Sequence, residues 1–231
     1  MKARVIEKKR NDRRPTNVNR AYEIIKDRIL NDEYPPGYQA LEAELADTLG
    51  MSRTPIREAM VRLANEGLIE IIPRQGMRVI PLSAADMKEI YEILTALETM
   101  AVDLIARRGL SESDLVPLEK TLTEMDQALG QEDLDSWAAA DSRFHFSLLE
   151  LCGNRRLAAM AQQVSDQAHR ARMITLRLRP KPVKSNAEHR AVLDAIRRGD
   201  WKAAWQIHYD HRKRAAEVLL DLLDHYRLTQ L

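Results

Sequence analysis

The amino-acid sequence predicts a mainly α-helical protein with one small β element and two domains. Its 231 residues include only 8 glycines, and aromatic residues make up 5% of the chain. Ala, Leu, Glu and Arg are frequent, which favours helices. Apolar residues recur along most of the chain at the spacing of a helix with one buried face. The length is sufficient for a hydrophobic core in each of two modest domains.

Charge is distributed unevenly along the chain. The formal net charge is +1, yet the first twenty residues hold eight Lys or Arg against two acids. A basic arm at residues 1–17 suits an anionic partner, although a solvated tail has the same composition. The single cysteine, Cys152, excludes an intramolecular disulfide. Because no apolar run approaches the roughly 20 residues of a membrane span and no secretory signal is present, we expect a cytoplasmic protein without membrane contact.

The segment after the arm predicts a helix–turn–helix. Apolar residues from Ala21 to Leu30 recur at helical spacing, and this first helix should end before Pro35. A short helix fits Glu42 to Leu49, and Gly50 closes it. The next helix begins near Ser52 and ends at Gly67. Two helices joined by a tight turn that contains glycine are typical of this motif.

The second helix of the motif begins within the run MSRTPIREAM. Pro55 is tolerated in a first turn, where the amide that it lacks would have no partner, so Ser52 or Thr54 is expected as the N-cap. Arg53 and Arg57 then lie where the helix dipole disfavours cations. A helix–turn–helix inserts this end of its second helix into the major groove of DNA. We therefore predict that Arg53, Thr54 and Arg57 contact DNA; the alternative is that the arginines are merely solvated.

A β-hairpin follows the second helix. The β-rich segments Leu68–Ile72 and Met77–Ile80 flank a basic tip. Because a lone hairpin is marginally stable in water, it should pack against the helices as a wing. Side chains that could enter the minor groove or follow the phosphate backbone are Arg74, Gln75 and Arg78.

The rest of the chain predicts helices only. Ser83 and Asp86 resemble a capping box, so the DNA-binding domain is expected at residues 18–82 and an all-α bundle at residues 83–231. Apolar stripes and turn residues predict six bundle helices. They cover Ile90–Ala101, Leu115–Met125, Leu134–Leu151, Arg155 to about Arg177, Asn186–Arg198, and Trp201 to about Tyr226.

A longer set of residues surrounds the predicted DNA-reading helix. It comprises Pro36-Gly37, Leu45-Ala46, LGMSRTPIREA (49–59), Leu63, Glu66-Gly67-Leu68-Ile69 and Gly76. These residues resemble the winged helix of the GntR transcriptional regulators, over about Val18 to Pro81. The resemblance implies an N-terminal winged helix-turn-helix whose contacts with DNA come from Arg53, Thr54, Arg57, Arg74, Gln75, Gly76 and Arg78. Ala43 stands where many relatives carry a DNA-contacting arginine, so one contact is expected to be missing.

A second group of polar residues lies in the predicted bundle. Asp141 and His145 are four apart and share one helix face. His189 lies on a later helix, and on the last helix His211 falls within the apolar stripe, whereas His208 lies nearer its flank. Asp141, His145, His189 and His211 would offer one oxygen and three nitrogens to zinc, nickel, manganese or iron. The alternative is a set of core histidines satisfied by hydrogen bonds.

These residues belong to a wider pattern. It comprises Asp141-x-x-Phe144-His145, Gly153-Asn154, Glu188-His189-Arg190, Leu193-Asp194-Ala195-Ile196, Gly199-Asp200 and His211. It resembles the FCD effector-binding domain of the FadR subfamily, over about Ser83 to Arg227. The resemblance implies a divalent ion, zinc first, that helps to bind a small carboxylate effector, with Arg170 or Arg172 as charge partner. Leu94 stands where many members carry an arginine, which leaves the effector's identity open.

The two groups of residues together predict a ligand-responsive transcriptional regulator. We expect a repressor that binds a palindromic double-stranded DNA operator as a homodimer, because a single reader would bind weakly. One alternative is a metal-dependent hydrolase with an N-terminal assembly domain, although no separate general base or nucleophile stands out. Another is a DNA-architectural protein with a structural metal.

Overall fold

The computed structural model describes residues 16–226 and confirms a mainly α-helical protein. The N-terminal part contains α1 (Asn17–Leu30), β1 (Gln39–Ala40), α2 (Glu42–Leu49), α3 (Arg53–Asn65), β2 (Ile69–Ile72) and β3 (Gly76–Val79). The C-terminal part contains α4 (Ala84–Arg108), α5 (Glu112–Gly130), α6 (Leu134–Leu151), α7 (Arg155–Thr175), α8 (Val183–Arg197) and α9 (Trp201–His225). Positions 1–15 of the predicted basic arm lie outside the described residues.

The N-terminal helices enclose one apolar core. Helix α1 packs across α3, and the side chains of Ile25, Ile56 and Met60 are completely buried between them. Gly50 ends α2 with a left-handed φ of 61°, a conformation that glycine adopts without steric cost. Helices α2 and α3 are thereby joined by the short turn that the sequence predicts.

The β element is a three-stranded sheet rather than the predicted two-stranded hairpin. Strand β3 lies in the centre and pairs antiparallel with both β2 and the two-residue β1. A Cβ added to Gly76 would lie 2.1 Å from the carbonyl oxygen of Ala40, so only glycine allows β1 to approach β3 this closely. A two-residue strand is too short to show alternation in sequence, which is why β1 was missed.

The C-terminal helices form a bundle built on α4. Helix α4 packs along α9, and α5 packs along α6. Ser83 starts α4 through the predicted capping box, in which its Oγ accepts from the amide of Asp86 at 3.1 Å and its own amide donates to the Asp86 carboxylate at 2.7 Å. Helix α8 begins at Val183, earlier than the predicted Asn186. Among the described residues, no helix combines the length and the apolar character needed to cross a membrane.

Helix α7 connects the bundle to the N-terminal part. Asp166 lies 2.7 Å from Nζ of Lys26 on α1, and the Gln167 side-chain amide donates to the carbonyl of Glu66 at 3.3 Å. The guanidinium of Arg170 donates to the carbonyl of Ile80 at 3.0 Å. One helix of the bundle therefore holds α1, the end of α3 and the segment after β3.

Candidate DNA-binding surface and candidate metal centre

The N-terminal end of α3 presents polar side chains to solvent. Ser52 is the N-cap, and Arg53 and Thr54, the first two helical residues, are exposed. Pro55 is buried in the first turn, where its missing amide costs no helical hydrogen bond. Arg53 and Thr54 are thus free to reach a base edge or a phosphate in front of the helix.

Arg57 lies one turn further along α3 and already has an anionic partner. Its guanidinium donates two hydrogen bonds to the carboxylate of Glu42, at 3.0 and 2.9 Å. The Arg57 side chain is 71% exposed, so this ion pair contributes little to stability and can be exchanged for a phosphate. Glu42 therefore occupies the same guanidinium group with which Arg57 is predicted to contact DNA.

The wing presents only part of its predicted contact set. Arg74 and Gln75 are exposed at the turn between β2 and β3, and Arg74 has a left-handed φ of 67°. Arg78 is bound across the strands by the Glu70 carboxylate. Gly76 is packed against β1, so the close approach of this strand explains why a glycine is found there. Arg74 and Gln75 are the wing side chains best placed to meet a second groove.

The bundle brings together all four residues predicted as metal ligands. His145, His189 and His211 each place one nitrogen within 4.8 Å of the other two. The Nε2 atoms of His189 and His211 are 3.2 Å apart, and Asp141 Oδ1 lies 3.7 Å from His189 Nε2 and 3.8 Å from His145 Nε2. Ligands at Zn–N distances of about 2.0–2.1 Å in a tetrahedron lie about 3.3 Å apart. The three histidines are close to this spacing, and Asp141 approaches the group from the side of His145 and His189.

Two carboxylates outside the cluster orient its imidazoles. The Nδ1 atom of His145 lies 2.8 Å from Glu98, and Nδ1 of His211 lies 2.7 Å from Glu188. An imidazole that donates its Nδ1 hydrogen to a carboxylate leaves the Nε2 lone pair free for a metal. Each of these two histidines therefore has a carboxylate at Nδ1 that favours the tautomer with a free Nε2.

Asp141 is oriented in a similar way by a cation. One carboxylate oxygen, Oδ2, accepts from Arg172, which also donates to the hydroxyl of Ser142 at 3.3 Å. The other oxygen, Oδ1, faces His145 and His189. Burial alone would raise the pKa of Asp141, but Arg172 and the nearby histidines lower it below its usual value. Asp141 is therefore ionised, with one oxygen directed at the histidines.

Burial keeps two histidines of the cluster, His189 and His211, neutral. Desolvation lowers the pKa of His189 and of His211 well below the usual value, and neighbouring histidines lower the pKa of His211 further. Only a neutral imidazole binds a metal ion. At neutral pH the cluster therefore needs to lose no proton from these two side chains to accept an ion.

The structure also corrects the placement of His208 and adds Glu98. His208 is completely buried, and its Nε2 lies 2.9 Å from the Glu98 carboxylate, so it is not at the flank of α9. Glu98, His145 and His208 form a second group of three side chains of the types that can bind a metal, which shares His145 with the first. The sequence did contain a signal for Glu98, because it lies four residues after the buried Leu94 and three before the buried Ala101 on α4.

We call Asp141, His145, His189 and His211 the metal cluster. A cavity of about 230 Å³ opens beside it. Asp141, His145 and His211 form part of its wall. Of the two arginines predicted as charge partners of an effector, Arg172 lines this cavity, whereas Arg170 is turned to Ile80 at the base of the N-terminal part. Further cations that line the cavity and were not predicted are Arg179, Lys181, Lys184, Arg212 and Arg214. The wall next to the metal cluster is thus strongly cationic.

Two parts of the chain match known protein families. Residues 17–79 match the gntR family of bacterial regulatory proteins, and residues 89–214 match the FCD domain. The chain belongs to the GntR family. Its members are transcriptional regulators that bind DNA and effectors, typically as dimers, and this GntR protein with an FCD domain is a regulator rather than an enzyme. The hydrolase alternative therefore finds no support.

Individual relatives agree with this assignment. A regulator from Agrobacterium vitis, named for the TAR-I ttuE-ttuC′ intergenic region, is 46% identical over 134 residues, which are 57% of this chain and 78% of the relative. The HTH-type transcriptional regulator YdhC of Bacillus subtilis is 33% identical over 195 residues, or 82% of this chain and 86% of the relative. The structure of Escherichia coli McbR/YncC superposes with a TM-score of 0.78 at 21% identity, over 90% of this chain and 99% of that one, and shows the same fold.

Proposed function

We propose that this GntR protein is a metal-loaded, effector-responsive regulator that binds a palindromic operator as a homodimer. The observation that carries the proposal is the position of α7. This helix holds the metal ligand Asp141 through Arg172, and it holds the N-terminal part through Asp166 and Arg170. A change at the metal cluster can therefore reach the DNA-binding helices through one rigid element.

The proposed ion is held by Asp141, His145, His189 and His211. Zinc is our first choice, because one carboxylate oxygen and three imidazole nitrogens are a common zinc set, and nickel, manganese and iron are alternatives. When bound, the ion would supply an open coordination position for an effector oxygen. Glu98, Glu188 and Arg172 would hold three of the ligands in place, as carboxylates and other partners in the outer shell of metal sites do.

The proposed effector is a small carboxylate in the cavity beside this cluster. The cavity is smaller than the roughly 300–1,000 Å³ of pockets that hold drug-sized ligands. Its cationic wall favours an anion, and Arg172 is the charge partner closest to Asp141. The proposed effector site does not include Arg170, because its guanidinium is bound to the segment after β3.

On DNA, two copies of α3 would enter successive major grooves. Arg53 and Thr54 would read base edges or bind phosphate, Arg57 would exchange Glu42 for phosphate, and Arg74 and Gln75 would reach the flanking groove. Effector binding alters operator affinity only if it favours one placement of the two readers over the other. Repression remains our prediction for the direction of control.

The proposal is tested by DNA binding with and without the metal and an effector. Operator sites are selected from random-sequence DNA with the zinc-loaded protein, and affinity is then measured by fluorescence anisotropy while small carboxylates are added. We expect at least one acid to change the affinity about fivefold or more, and only in zinc-loaded protein. Absence of selected sites would overturn the regulator proposal, and an effect that survives metal removal would overturn the role of the ion.

A variant of α7 tests whether this helix links the effector cavity to the DNA-binding helices. Replacing Asp166 by Asn removes the charge that holds Lys26 but leaves Lys26 its contacts with Glu66 and Tyr22. We expect the effector to bind as before, while its influence on DNA affinity falls. Asp135→Asn is the matched control, because Asp135 forms an exposed pair with Arg177 on the bundle. An unchanged effector response in Asp166→Asn would show that the signal takes another path.

A further inference from the structure

We infer that the effector is a dianion, a small molecule with two acidic groups, whose second acidic group is bound by Arg179 and Arg212. This inference rests on the proposed function, in which the first acidic group meets the metal ion. It concerns two arginines that lie on different elements, since Arg179 follows α7 and Arg212 lies within α9.

The first observation is that both guanidiniums offer buried donors with no acceptor among the described residues. Arg212 is 3% exposed, and its Nε and one of its terminal nitrogens have no hydrogen-bond partner. The nearest carboxylate oxygen, of Glu98, is 3.6 Å from that Nε. Arg179 donates its Nε to the hydroxyl of Thr175 at 2.9 Å, but one of its terminal nitrogens is buried and unpartnered. Unpaired buried donors are costly, so an acceptor from outside the chain is the expected remedy.

The second observation is that both arginines line the cavity that contains Asp141, His145 and His211. The ring of Tyr91 lies in the same wall, with the Arg212 guanidinium carbon 5.1 Å from its centre. Burial alone would raise the pKa of Tyr91, but the nearby charges of Arg179, Arg212 and Arg172 lower it. Arg179, Arg212 and Arg172 therefore line one cavity together with Tyr91.

The third observation is the balance of charge around the cavity. Arg172 pairs with Asp141 and Arg212 lies 3.6 Å from Glu98, whereas Arg179 forms no ion pair among the described residues. Arg214 is neutralised separately by Glu188. A divalent ion adds two more positive charges, so a monoanion would leave most of the excess uncompensated. Because an uncompensated buried charge is strongly unfavourable, a ligand with two negative charges fits this site better.

The size of the cavity limits the class of dianion. A cavity of about 230 Å³ accepts a short acid but is small for a nucleotide or a long acyl chain. Short dicarboxylates and small phosphorylated acids share the required chemistry, which is two anionic groups a few bonds apart. One group would bind the ion and the other would accept hydrogen bonds from Arg179 and Arg212, which suit planar or tetrahedral oxyanions.

Isothermal titration of the full-length, zinc-loaded protein tests the inference. Succinate and malate serve as dicarboxylates, phosphoglycolate as the phosphorylated acid, and butyrate as the monoanion matched to succinate in length. We expect at least one of the three acids with two acidic groups to bind about tenfold or more tightly than butyrate. The comparison of phosphoglycolate with succinate shows which kind of second acidic group the arginines prefer.

Variants assign the effect to the two arginines. Arg179→Gln and Arg212→Gln should each weaken the preferred dianion about 10- to 100-fold, because a charged hydrogen bond is lost, and should leave butyrate nearly unchanged. Arg177→Gln is the matched control, since Arg177 is exposed and pairs with Asp135. Arg179 is only partly buried, so Arg179→Gln keeps the test valid if Arg212→Gln fails to fold.

The outcomes separate this inference from the proposed function. Equal affinities for succinate, phosphoglycolate and butyrate would overturn the dianion and leave a metal-dependent carboxylate effector in place. Normal dianion binding in both arginine variants would overturn the role of the arginines. Failure of all four acids to bind the zinc-loaded protein would overturn both the dianion and the carboxylate effector.

Discussion

The start of α3 and the metal cluster both depend on ionisable side chains, but they hold them in opposite environments. Arg53 and Arg57 project into solvent, and the ion pair of Arg57 is exposed. The histidines, Asp141 and Arg172 are buried, and each depends on partners from other helices. A solvated charge costs little, so its removal should affect binding without affecting the fold. A buried charge is tolerated only when it is compensated, so its removal should affect both.

Removal of two of the proposed metal ligands should show the largest effect. In the double variant His189→Ala, His211→Ala, we expect metal affinity to fall about 10⁴-fold, because each ligand contributes about 3 kcal/mol to such sites. Elemental analysis of purified protein measures the bound ion. His225→Ala, which removes an exposed histidine near the end of α9, is the control and should keep the metal. Equal metal content in the double variant and wild type would remove the site assignment.

Removal of Arg53 should affect only the DNA-binding side of the comparison. We expect Arg53→Ala to weaken binding to selected operator DNA by about 10- to 100-fold, the equivalent of about 1–3 kcal/mol for a base-contacting arginine. Its unfolding free energy should change by less than about 0.5 kcal/mol, because the side chain is solvated. Arg143→Ala on α6, which removes a cation paired with Glu124, is the control. Unchanged operator binding in Arg53→Ala would contradict the DNA-reading role of α3.

Acid should destabilise the metal-free bundle. Burial lowers the pKa of His169 to about 4 and lowers the pKa values of His189 and His211. A histidine whose folded pKa is depressed binds its proton first in the unfolded chain, so stability falls as pH drops below about 6.5. Each such histidine removes about 1.4 kcal/mol of unfolding free energy per pH unit until its folded pKa is reached. Urea unfolding in EDTA at several pH values measures this slope.

Two buried carboxylates, one in the cluster and one beside it, act in the same direction. The pKa values of Asp141 and Glu98 are lowered in the folded protein, so their contribution to stability is lost as pH falls below about 4. Stability should therefore decline continuously on acidification. A stability that is constant between pH 7.5 and pH 5 would show that the histidines are not buried in the neutral form.

The smallest expected effect concerns the competition between Glu42 and DNA for Arg57. Glu42→Gln removes a negative charge that accepts two hydrogen bonds from Arg57. We expect operator affinity to rise about two- to fivefold, because an exposed ion pair is worth about 0.2–1 kcal/mol. Fluorescence anisotropy on the same DNA measures the change, and Glu112→Gln at the start of α5 is the control. Weaker binding in Glu42→Gln would mean that Glu42 positions Arg57 instead of competing with DNA.

The sequence predicted the DNA-binding region more completely than it predicted the effector site. The N-cap at Ser52, the buried Pro55 and the exposed Arg53 follow from rules about one helix end, which act over a few residues. The spacing of Asp141 and His145 is equally local, and α6 places both at the cluster as expected. The positions of residues that are set within one helix were therefore predicted correctly, while their roles stay predictions.

Residues whose positions are set by contacts between helices were not predicted correctly. The apolar pattern of α9 placed His208 near the flank of the helix. The structure buries it, and Glu98, 110 residues away in sequence, accepts its hydrogen bond. Arg170 and Arg172 are two residues apart, yet they face Ile80 and Asp141, respectively. Arg179 and Arg212 meet at one cavity although no sequence spacing relates them.

The sequence by itself thus determined the helices, the turn before α3 and the helix positions of Asp141 and His145, because hydrophobic periodicity and helix capping depend on near neighbours. Only the tertiary structure decided which charges are buried and which partner each one has. Burial of an ionisable group is set by the packing of several helices at once, and its cost is met by partners that are distant in the chain.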